Sequence, residues 1–496
     1  MESYILALDQ GTTSSRAILF DRSGRAISAS QKPFTQSHPK PGWVEHDPEE
    51  IWSTQLSAAR EAISSARITP SQVAGIGIAN QRETAVFWDR KTGHPLGPAI
   101  VWQDRRTTDI CRRLSAEGLE KKVAERTGLL LDPYFSAPKI MWFLQAEENH
   151  RSRAQSGEIC FGTVDSWLIR RLTGRHLTDP SNASRTMLFD IGRGAWDPEL
   201  ASAMGVPLSM LAQVCPSASD FGTVPKEILG AAIPVRGVLG DQQAALLGQA
   251  CLEPGDVKVT YGTGCFCLLC TGRERVASAN RLLTTVAWDL GEGLEYALEG
   301  SVFIGGAVVQ WLRDELRILS SAAESETMAR SVSDTGGVYF VPAFVGLGAP
   351  YWDPDARGSI LGITRGTRQE HIVRAGLESV ALQTRDLVEA MERDAGSSIR
   401  SVRVDGGAST NAFLMQFQAD ILGVPLVRPR TFETTALGAA FAAGLSAGMW
   451  DSRKQLSSIW QADAIFEPSM SEVTRGALVE GWSAAVRAAR AFGRKA

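Results

Sequence analysis

Three glycine-containing turns carry residue types that can bind phosphate groups. The first is Asp9-Gln10-Gly11-Thr12-Thr13-Ser14-Ser15-Arg16, in which a glycine followed by hydroxylated residues lies between strands predicted over residues 4–8 and 16–20. Backbone N–H groups and hydroxyls in such a turn can point at phosphate oxygens. Asp9 can hold a hydrated Mg²⁺, and Arg16 can neutralise charge on a phosphoryl group. The same residues are equally typical of an ordinary hairpin turn.

The other two turns have glycines next to polar residues. They are Tyr261-Gly262-Thr263-Gly264-Cys265-Phe266 and Asp405-Gly406-Gly407-Ala408-Ser409-Thr410-Asn411. Glycine lets backbone approach a phosphate or a flat ligand at the carboxyl end of a strand. Taken singly, each is more typical of a structural turn. Three such turns in one chain indicate phosphate binding more strongly than any one of them.

Asp241, in Gly240-Asp241-Gln242-Gln243, lies in a turn between a strand predicted over residues 235–239 and a helix predicted over residues 242–250. Aspartate at this position most often caps the helix. It can also act as a general base beside a transferred phosphoryl group, where positioning matters more than base strength. The residue types slightly favour the cap, and one aspartate can do both.

A second group of residues can bind a small polyol. Arg82 and Glu83 follow the apolar strand predicted over residues 73–79, and together they offer hydrogen-bond donors and acceptors. Trp102 and Tyr134 can supply apolar walls and a hydroxyl. The competing interpretations are a surface ion pair for Arg82 and Glu83 and core packing for the two aromatic side chains.

Several common signatures are absent from the sequence or occur without their context. There is no Gly-x4-Gly-Lys-Ser/Thr loop and no Gly-x-Gly-x-x-Gly after a strand, so neither a P-loop nor a dinucleotide fold is supported. Gly444-Leu445-Ser446-Ala447-Gly448 follows an alanine-rich helical stretch, whereas a hydrolase elbow follows a strand. Cys265, Cys267 and Cys270 have no second Cys or His pair nearby, so core packing is favoured over a metal site.

Composition restricts the class of protein. The 496 residues include 51 basic and 55 acidic side chains, a net charge of −4, so we expect no dedicated nucleic-acid binding. No uncharged window reaches the ~20 residues that a membrane span needs, and no secretory signal is recognisable. The seven cysteines are an odd number. We therefore expect a cytoplasmic protein with reduced cysteines that does not bind membranes.

The elements that must position these residues alternate between short apolar strands and amphipathic helices. This alternation predicts an α/β fold, and the length predicts two to four domains at ~100–200 residues each. Residues 6–20 and 257–270 share a pattern of apolar run, Gly-Thr turn and apolar run, about half the chain apart. This weak internal similarity predicts two similar lobes with a ligand between them.

The same segments, with others, resemble those of the glycerol kinases, a branch of the sugar-kinase family named for its Phe-Gly-Gly-Tyr (FGGY) motif. The resemblance runs in order from the first strand to residue 450 or so. The resembling segments are residues 9–16, Asn80-Gln81-Arg82-Glu83, Trp102-Gln103-Asp104-Arg105-Arg106, Asp132-Pro133-Tyr134-Phe135-Ser136, residues 182–189, 240–243 and 261–266, Trp311-Leu312-Arg313-Asp314-Glu315, residues 346–354, and residues 405–416.

The resemblance implies an actin-like ATPase fold of two ribonuclease-H-like lobes around a central cleft. Residues 1–250 would form the lobe with the glycerol site and the first phosphate loop. Residues 251–496 would form the lobe with the second phosphate loop and the adenosine site. The implied reaction converts ATP and glycerol to ADP and sn-glycerol 3-phosphate, the first step of glycerol breakdown. We also expect a homo-oligomer, either a dimer or a tetramer.

The resemblance also implies site residues. Asp241 would be the general base and Arg16 a second catalytic residue, and Asp9 would orient Mg²⁺ through water. The expected glycerol ligands are Arg82, Glu83, Trp102, Tyr134, Asp241, Gln242 and Phe266. The expected nucleotide ligands are Thr12, Thr13, Ser14, Arg16, Thr263, Gly306, Gln310, Gly407 and Asn411.

The chain departs from some members of that family in its regulatory segments. Residues 226–236 are shorter than in members inhibited by fructose 1,6-bisphosphate and lack their Gly-Gly-Thr-Arg stretch, and no histidine lies between His176 and His371. Inhibition by fructose 1,6-bisphosphate and activation by phosphorylation of a regulatory histidine therefore have no support in the sequence.

Two alternatives remain at this stage. One is another polyol or ketose kinase of the same family. The other is a non-metabolic actin-like ATPase, which would leave Arg82, Glu83, Trp102 and Tyr134 without a role.

Overall fold

The computed structural model describes residues 3–493 and contains two large mixed β-sheets. The first has the spatial order β5-β6-β4-β1-β2-β3. Its central strand β1 pairs antiparallel with β2 and parallel with β4, and β4 pairs parallel with β6. The strands are β1 (Tyr4–Gln10), β2 (Ser14–Phe20), β3 (Ala26–Pro33), β4 (Val73–Asn80), β5 (Thr223–Val224) and β6 (Ile233–Gly240).

The second sheet has the order β9-β10-β8-β7-β11-β12-β13. Its strand β7 pairs antiparallel with β8 and parallel with β11, as β1 does with β2 and β4. The strands are β7 (Val257–Tyr261), β8 (Cys265–Gly272), β9 (Leu283–Asp289), β10 (Leu294–Val302), β11 (Val402–Asp405), β12 (Leu426–Pro429) and β13 (Ala462–Phe466). This shared connectivity confirms the predicted α/β fold with two ribonuclease-H-like lobes.

The central strands are apolar because both faces of each sheet are covered. Six of the seven residues of β1 are buried, and in β4 all but Ala74 are. Parallel strands that are covered on both faces have nearly continuous apolar sequences. The predicted strands over residues 4–8 and 16–20 are therefore confirmed, and each is two residues longer in the structure.

Seven helices matter for the site and its support. They are α1 (Pro48–Ser65), α2 (Asp241–Gly248), α3 (Ala307–Asp314), α4 (Gln369–Ala395), α5 (Ala412–Leu422), α6 (Thr434–Ser446) and α7 (Glu472–Gly493). The sequence Asp47-Pro48-Glu49-Glu50 is typical of a helix start, and α1 begins there: the side chain of Asp47 accepts a hydrogen bond from the N–H of Glu49, and Pro48 is in the first turn.

The remaining elements surround the two sheets. The other α-helices are Thr108–Ala116, Glu120–Thr127, Ser136–Ala146, His150–Gln155, Val164–Thr173, Pro180–Ala183, Pro198–Ala203, Lys226–Leu229, Glu324–Arg330 and Arg453–Ile459. The short strands are Glu45–His46, Val86–Asp89, Ala99–Ile100, Ile159–Gly162, Leu177–Thr178, Phe189–Asp190, Ala195–Trp196, Gln213–Val214, Tyr339–Val341 and Ser359–Leu361. No helix within residues 3–493 is both long enough and apolar enough to cross a membrane.

Helix α6 comes from the second half of the chain but packs on β1, β4 and β6 of the first sheet and against α2. Its contact with the sheet depends on glycine. A Cβ atom on Gly77 would lie 2.1 Å from the carbonyl oxygen of Ala439, and one on Gly237 would lie 2.4 Å from the backbone N of Ala443. The α2–α6 crossing is equally close, because a Cβ on Gly438 would lie 1.8 Å from the carbonyl oxygen of Ala244.

We expect Gly77→Ala to destabilise the protein by about 2–3 kcal/mol, because the added methyl collides with helix backbone that cannot move alone. The thermal midpoint should fall by about 2–6 °C. The matched control is Gly476→Ala in α7, where a Cβ meets nothing within 4 Å and alanine favours the helix. Equal midpoints for the two variants by scanning calorimetry would contradict the close contact.

Candidate active site

Three polar loops emerge side by side from one edge of the first sheet. Gln10 pairs with Asn80 between β1 and β4, and Asn80 pairs with Gly240 between β4 and β6. These three residues end parallel strands, so the segments that follow them meet at the carboxyl edge of the sheet. Those segments are the first glycine-containing turn, the Arg82-Glu83 pair and Asp241, which the sequence placed in separate motifs.

Neighbouring side chains hold the first loop in place. The amide of Gln81 donates to the carbonyl oxygen of Gly11 at 3.0 Å, and the indole N–H of Trp102 donates to the hydroxyl oxygen of Thr12 at 3.0 Å. Gln31 donates to the hydroxyl oxygen of Ser14 at 2.7 Å, whereas Thr13 is exposed. The loop is thus a fixed turn with an open outer side.

Asp9 and Arg16 face each other across the β1–β2 pair. Arg16 forms an ion pair with Glu433, which immediately precedes α6, and donates to Gln31 at 2.9 Å. Burial raises the pKa of Asp9 to about 7, with further increases from the charges of Asp241 and Glu433 and an opposing effect from Arg16. The negative charge concentrated around Asp9 is the kind of site that a cation would stabilise.

Arg82 and Glu83 belong to a buried cluster of charged side chains. They are only 3% and 1% exposed, so the interpretation as a surface ion pair is wrong. Glu83 has φ 62°, a left-handed conformation that costs a non-glycine residue about 1–2 kcal/mol. Its carboxylate accepts a 2.6 Å hydrogen bond from Nε of Arg185. Unfavourable backbone geometry of this kind is concentrated at functional sites.

Asp241 is the first residue of α2 rather than its cap. Gly240 occupies the cap position, and the carboxylate of Asp241 accepts from the N–H of Gln242 at 2.7 Å. The predicted capping role is therefore wrong. Nε of Arg82 lies 3.2 Å from Oδ1 of Asp241, whose side chain remains 30% exposed. Burial raises the pKa of Asp241, while the charges of Arg82 and Lys258 oppose the increase.

The aromatic candidates border this cluster. The rings of Trp102 and Tyr134 meet edge to face at 5.7 Å, and Nη2 of Arg82 donates to the hydroxyl oxygen of Tyr134 at 3.4 Å. Both aromatic side chains are half-buried, so pure core packing does not describe them. The structure therefore brings Arg82, Glu83, Trp102, Tyr134 and Asp241 together.

Gln242 and Phe266 lie where the second sheet faces the first half of the chain. Nζ of Lys258, on β7, donates to Oε1 of Gln242 at 2.5 Å and to the hydroxyl of Thr260 at 2.9 Å. Phe266 lies on β8 two residues from Leu268 and so shares its face. That face packs into the core formed with α2 and α6.

The second phosphate turn follows β7. Backbone N–H groups of Gly305 and Gly306 donate to the carbonyl oxygens of Thr263 and Gly262, each at 2.8 Å. A Cβ on Gly306 would lie 2.8 Å from the Gly262 oxygen, so the two turns can meet only because this residue is glycine. Gln310 is exposed one turn further along, on α3.

The third turn follows β11. Gly406 has φ 86°, and a Cβ there would meet the Tyr261 backbone at 2.5 Å. Gly407 is exposed with open space around its Cα. The Asn411 side chain caps α5 by accepting from the N–H of Leu414, and its amide donates to Ser325 at 3.3 Å.

A direct chain of contacts joins the two halves of the site. Asp405, at the end of β11, accepts hydrogen bonds from Gln249 at 2.8 Å and from the hydroxyl of Thr434 at 2.7 Å. Glu433, the neighbour of Thr434, pairs with Arg16 of the first loop. The turns of both sheets therefore border one cleft.

Sequence reasoning missed three charged residues of this site: Arg185, Lys258 and Glu299. All three side chains are buried, and each bonds to a predicted site residue. Lys258 and Glu299 interrupt apolar strands, and a charge inside such a strand is a usable signal because isolated charges are rarely buried. The Cys265 and Cys267 side chains lie in the core of the second half, as predicted.

Comparison with known proteins gives consistent matches along the chain. Residues 4–248 match the N-terminal domain and residues 257–447 the C-terminal domain of the FGGY family of carbohydrate kinases. A glycerol kinase from Carboxydothermus hydrogenoformans is 56% identical over 99% of this chain and 98% of its own length. Glycerol kinase 2 from Thermotoga maritima is 57% identical over 97% of this chain and 98% of its own.

A solved structure supports the same conclusion at the level of the fold. The crystal structure of Plasmodium falciparum glycerol kinase with ADP superimposes with a TM-score of 0.94 at 36% identity. The similarity covers 98% of each chain.

Proposed function

Since the chain belongs to the FGGY family of carbohydrate kinases, we propose that it transfers the terminal phosphoryl group of ATP to glycerol. The products are ADP and sn-glycerol 3-phosphate. The single observation that carries the proposal is the meeting of the Arg82–Asp241 cluster and the turns at Thr12 and Thr263 in one cleft, in a chain 55–57% identical to glycerol kinases over nearly its full length.

Glycerol binds in this proposal beside Asp241. Arg82 and Glu83 supply donors and acceptors to its hydroxyls, Gln242 adds an amide, and Trp102, Tyr134 and Phe266 form its walls. A site that hydrogen-bonds several hydroxyls rejects analogues that lack them, because its own buried groups would remain unpaired. The left-handed conformation of Glu83 supports a binding role for this residue.

Asp241 accepts the proton of the attacking hydroxyl. Its carboxylate is 30% exposed and its pKa is raised by burial, two properties that suit a general base. The hydrogen bond from the N–H of Gln242 and the nearby guanidinium of Arg82 fix the orientation of the carboxylate. Because phosphoryl transfer has a loose transition state, this orientation matters more than the strength of the base.

The nucleotide binds across the two halves. Thr12, Thr13 and Ser14 of the first turn and Thr263 of the second contact its phosphates, while Gly306, Gln310, Gly407 and Asn411 line the adenosine side. Arg16 leaves Glu433 to contact the transferred group. Apart from Phe266, the glycerol site and the first phosphate loop thus belong to residues 1–250, and the second phosphate loop and the adenosine site to residues 251–496.

The residues around Asp9 fit a magnesium ion. The half-buried carboxylate, with Asp241 and Glu433 contributing to its raised pKa, supplies the hard oxygen atoms that Mg²⁺ prefers. When bound, Mg²⁺ neutralises charge on the phosphates of ATP. Asp9 would hold the ion through water and keep it at the mouth of the first loop.

Removal of divalent cations with EDTA should abolish turnover, and added Mg²⁺ should restore it. Asp9→Asn should raise the Mg²⁺ concentration needed for half-maximal rate by about 10–100-fold, the usual effect of losing an outer-shell partner. The control is Asp21→Asn in the β2–β3 turn, where the carboxylate bonds only locally to Ser23 and Arg25. Identical Mg²⁺ dependence in the Asp9 variant and the wild type would exclude this role.

A coupled assay of ADP release with glycerol, ribulose and xylulose tests the function directly. We expect glycerol to give by far the highest kcat/KM, because the cluster around Asp241 is bordered by the rings of Trp102 and Tyr134. A clear preference for either ketose would indicate a different kinase of the same family. ATP turnover without a phosphorylated product, together with filament formation, would indicate a non-metabolic ATPase.

We further propose a cytoplasmic location and a homo-oligomer, either a dimer or a tetramer. All seven cysteines are free, which supports a reducing compartment. Light scattering on the purified protein measures the number of subunits.

A further inference from the structure

The carboxylate of Glu299 reaches the polyol site from the opposite half of the molecule. Glu299 lies on β10 of the second sheet, beside Leu268 of β8, which is itself beside Lys258 of β7. Its Oε2 is 2.5 Å from Nη1 of Arg82 and its Oε1 is 3.0 Å from Nη2 of the same guanidinium. This bidentate geometry is the strongest that an arginine and a carboxylate can form.

Glu299 also binds a second arginine. Nη2 of Arg185 donates to Oε1 of Glu299 at 2.9 Å, while Nε of Arg185 donates to Glu83 at 2.6 Å. The Arg185 guanidinium further packs against the rings of Tyr134 and Phe135, at 5.7 and 5.3 Å from their centres. One carboxylate therefore contacts both arginines of the cluster.

Both oxygen atoms of the Glu299 carboxylate accept hydrogen bonds from these arginines. The side chains of Arg82, Arg185 and Glu299 are at most 2% exposed. Although burial opposes it, the charges of Arg185 and Arg82 lower the pKa of Glu299 to about 2. Two buried guanidinium groups need two negative charges, and Glu299 supplies one of them without facing the substrate.

We propose that Glu299 is a positioning residue for the polyol substrate, acting through Arg82 and Arg185. By binding the Nη groups of both guanidinium groups, it leaves part of the hydrogen-bonding capacity of Glu83 and Asp241 available to substrate hydroxyls, although each of them also contacts one arginine. This inference rests on the proposed function, because it concerns the same site. It adds that the second half of the chain helps to set affinity for glycerol, although the direct ligands, apart from Phe266, lie in the first half.

The consequence of losing this carboxylate follows from the distances. Nε of Arg82 already lies 3.2 Å from Asp241 and 3.8 Å from Glu83. Without Glu299, Arg82 and Arg185 would have only these two carboxylates to pair with. Glu83 and Asp241 already pair with Arg185 and Arg82, and they would then carry all the pairing of the two guanidinium groups, so glycerol would compete more strongly with a guanidinium for each of them.

The test compares Glu299→Gln with Glu295→Gln. Glu295 lies on the same strand, is 4% exposed and pairs with Arg453, a residue outside the site. We expect Glu299→Gln to raise the KM for glycerol by about 10–50-fold, the effect of losing charged hydrogen bonds, and to change the KM for ATP by less than about threefold. Glu295→Gln should leave both constants unchanged. Glu299→Asp, which retains the charge, should recover part of the glycerol affinity.

Several outcomes would overturn the proposal. One is a lowered thermal midpoint with both KM values unchanged, which would make Glu299 purely structural. Another is an equal increase in the two KM values. If Glu299→Gln shows no cooperative unfolding, Glu299→Asp decides, and a wild-type KM for glycerol in that variant overturns the inference. If the wild-type protein itself does not phosphorylate glycerol, the proposed function fails instead.

Discussion

Asp241→Asn is expected to reduce kcat by about 10²–10⁴-fold while the protein remains folded, the usual contribution of a general base. Asparagine keeps the shape of the side chain and can still accept the 2.7 Å hydrogen bond from the N–H of Gln242. Arg82 also keeps its bidentate partner Glu299, so the buried charges stay paired. The substitution removes the carboxylate that, in the proposed mechanism, accepts the proton of the attacking glycerol hydroxyl.

Steady-state ADP release at saturating glycerol and ATP measures this effect. The thermal midpoint of the variant should lie close to that of the wild type. Asp451→Asn, at an exposed position after α6, serves as the matched control and should keep full activity. A kcat for Asp241→Asn within about threefold of the wild type would remove Asp241 as the base.

Glu83→Ala is expected to raise the KM for glycerol by about 10²–10³-fold, while the KM for ATP changes little. The substitution removes a charged acceptor for substrate hydroxyls and leaves Nε of Arg185 without its 2.6 Å partner. Each hydrogen bond lost between a charged carboxylate and a substrate hydroxyl costs about 1.5–3 kcal/mol. One to two such bonds account for the expected change in KM, whereas the unpaired donor of Arg185 lowers the stability of the protein.

The folded state must be checked in this variant, since breaking a buried ion pair can cost about 3–5 kcal/mol of stability. Glu83→Gln provides the milder comparison, because it keeps the volume and one acceptor oxygen. Its KM for glycerol should lie between those of the wild type and Glu83→Ala. Equal weakening of glycerol and ATP, measured by steady-state kinetics, would contradict a polyol-binding role for Glu83.

The left-handed backbone at Glu83 fits the same account. Its φ of 62° places the carboxylate beside Arg185 rather than along the direction of β4. The main chain of Glu83 is held there by Ser136, whose hydroxyl donates to the Glu83 carbonyl oxygen at 3.0 Å. The loop that carries Tyr134 is thus tied to the loop that carries Glu83.

Local sequence signals predicted the parts of this site that depend on neighbours in the chain. The hairpin around Gly11 follows from a glycine and hydroxyl residues between two apolar runs. The contact of β7 with β8 follows from the same pattern later in the chain. The α/β fold was predicted because strands and helices alternate, and the resemblance to glycerol kinases supplied the roles of individual residues.

Interactions between distant residues could not be predicted in this way. Arg82 and Glu299 are 217 residues apart, and Arg16 and Glu433 are 417 residues apart. No periodicity connects such pairs, because they meet only when the two sheets pack around α2 and α6. The start of α2 was also predicted one residue too late, which made Asp241 look like a cap when Gly240 has that position.

The structure of the protein with glycerol and a non-hydrolysable ATP analogue tests the central claim most directly. We predict one glycerol hydroxyl within about 3 Å of the Asp241 carboxylate. The same hydroxyl should face the terminal phosphate, with that phosphate bound by the turns at Thr12 and Thr263. Glycerol bound away from Asp241, or a terminal phosphate that contacts neither turn, would contradict the account.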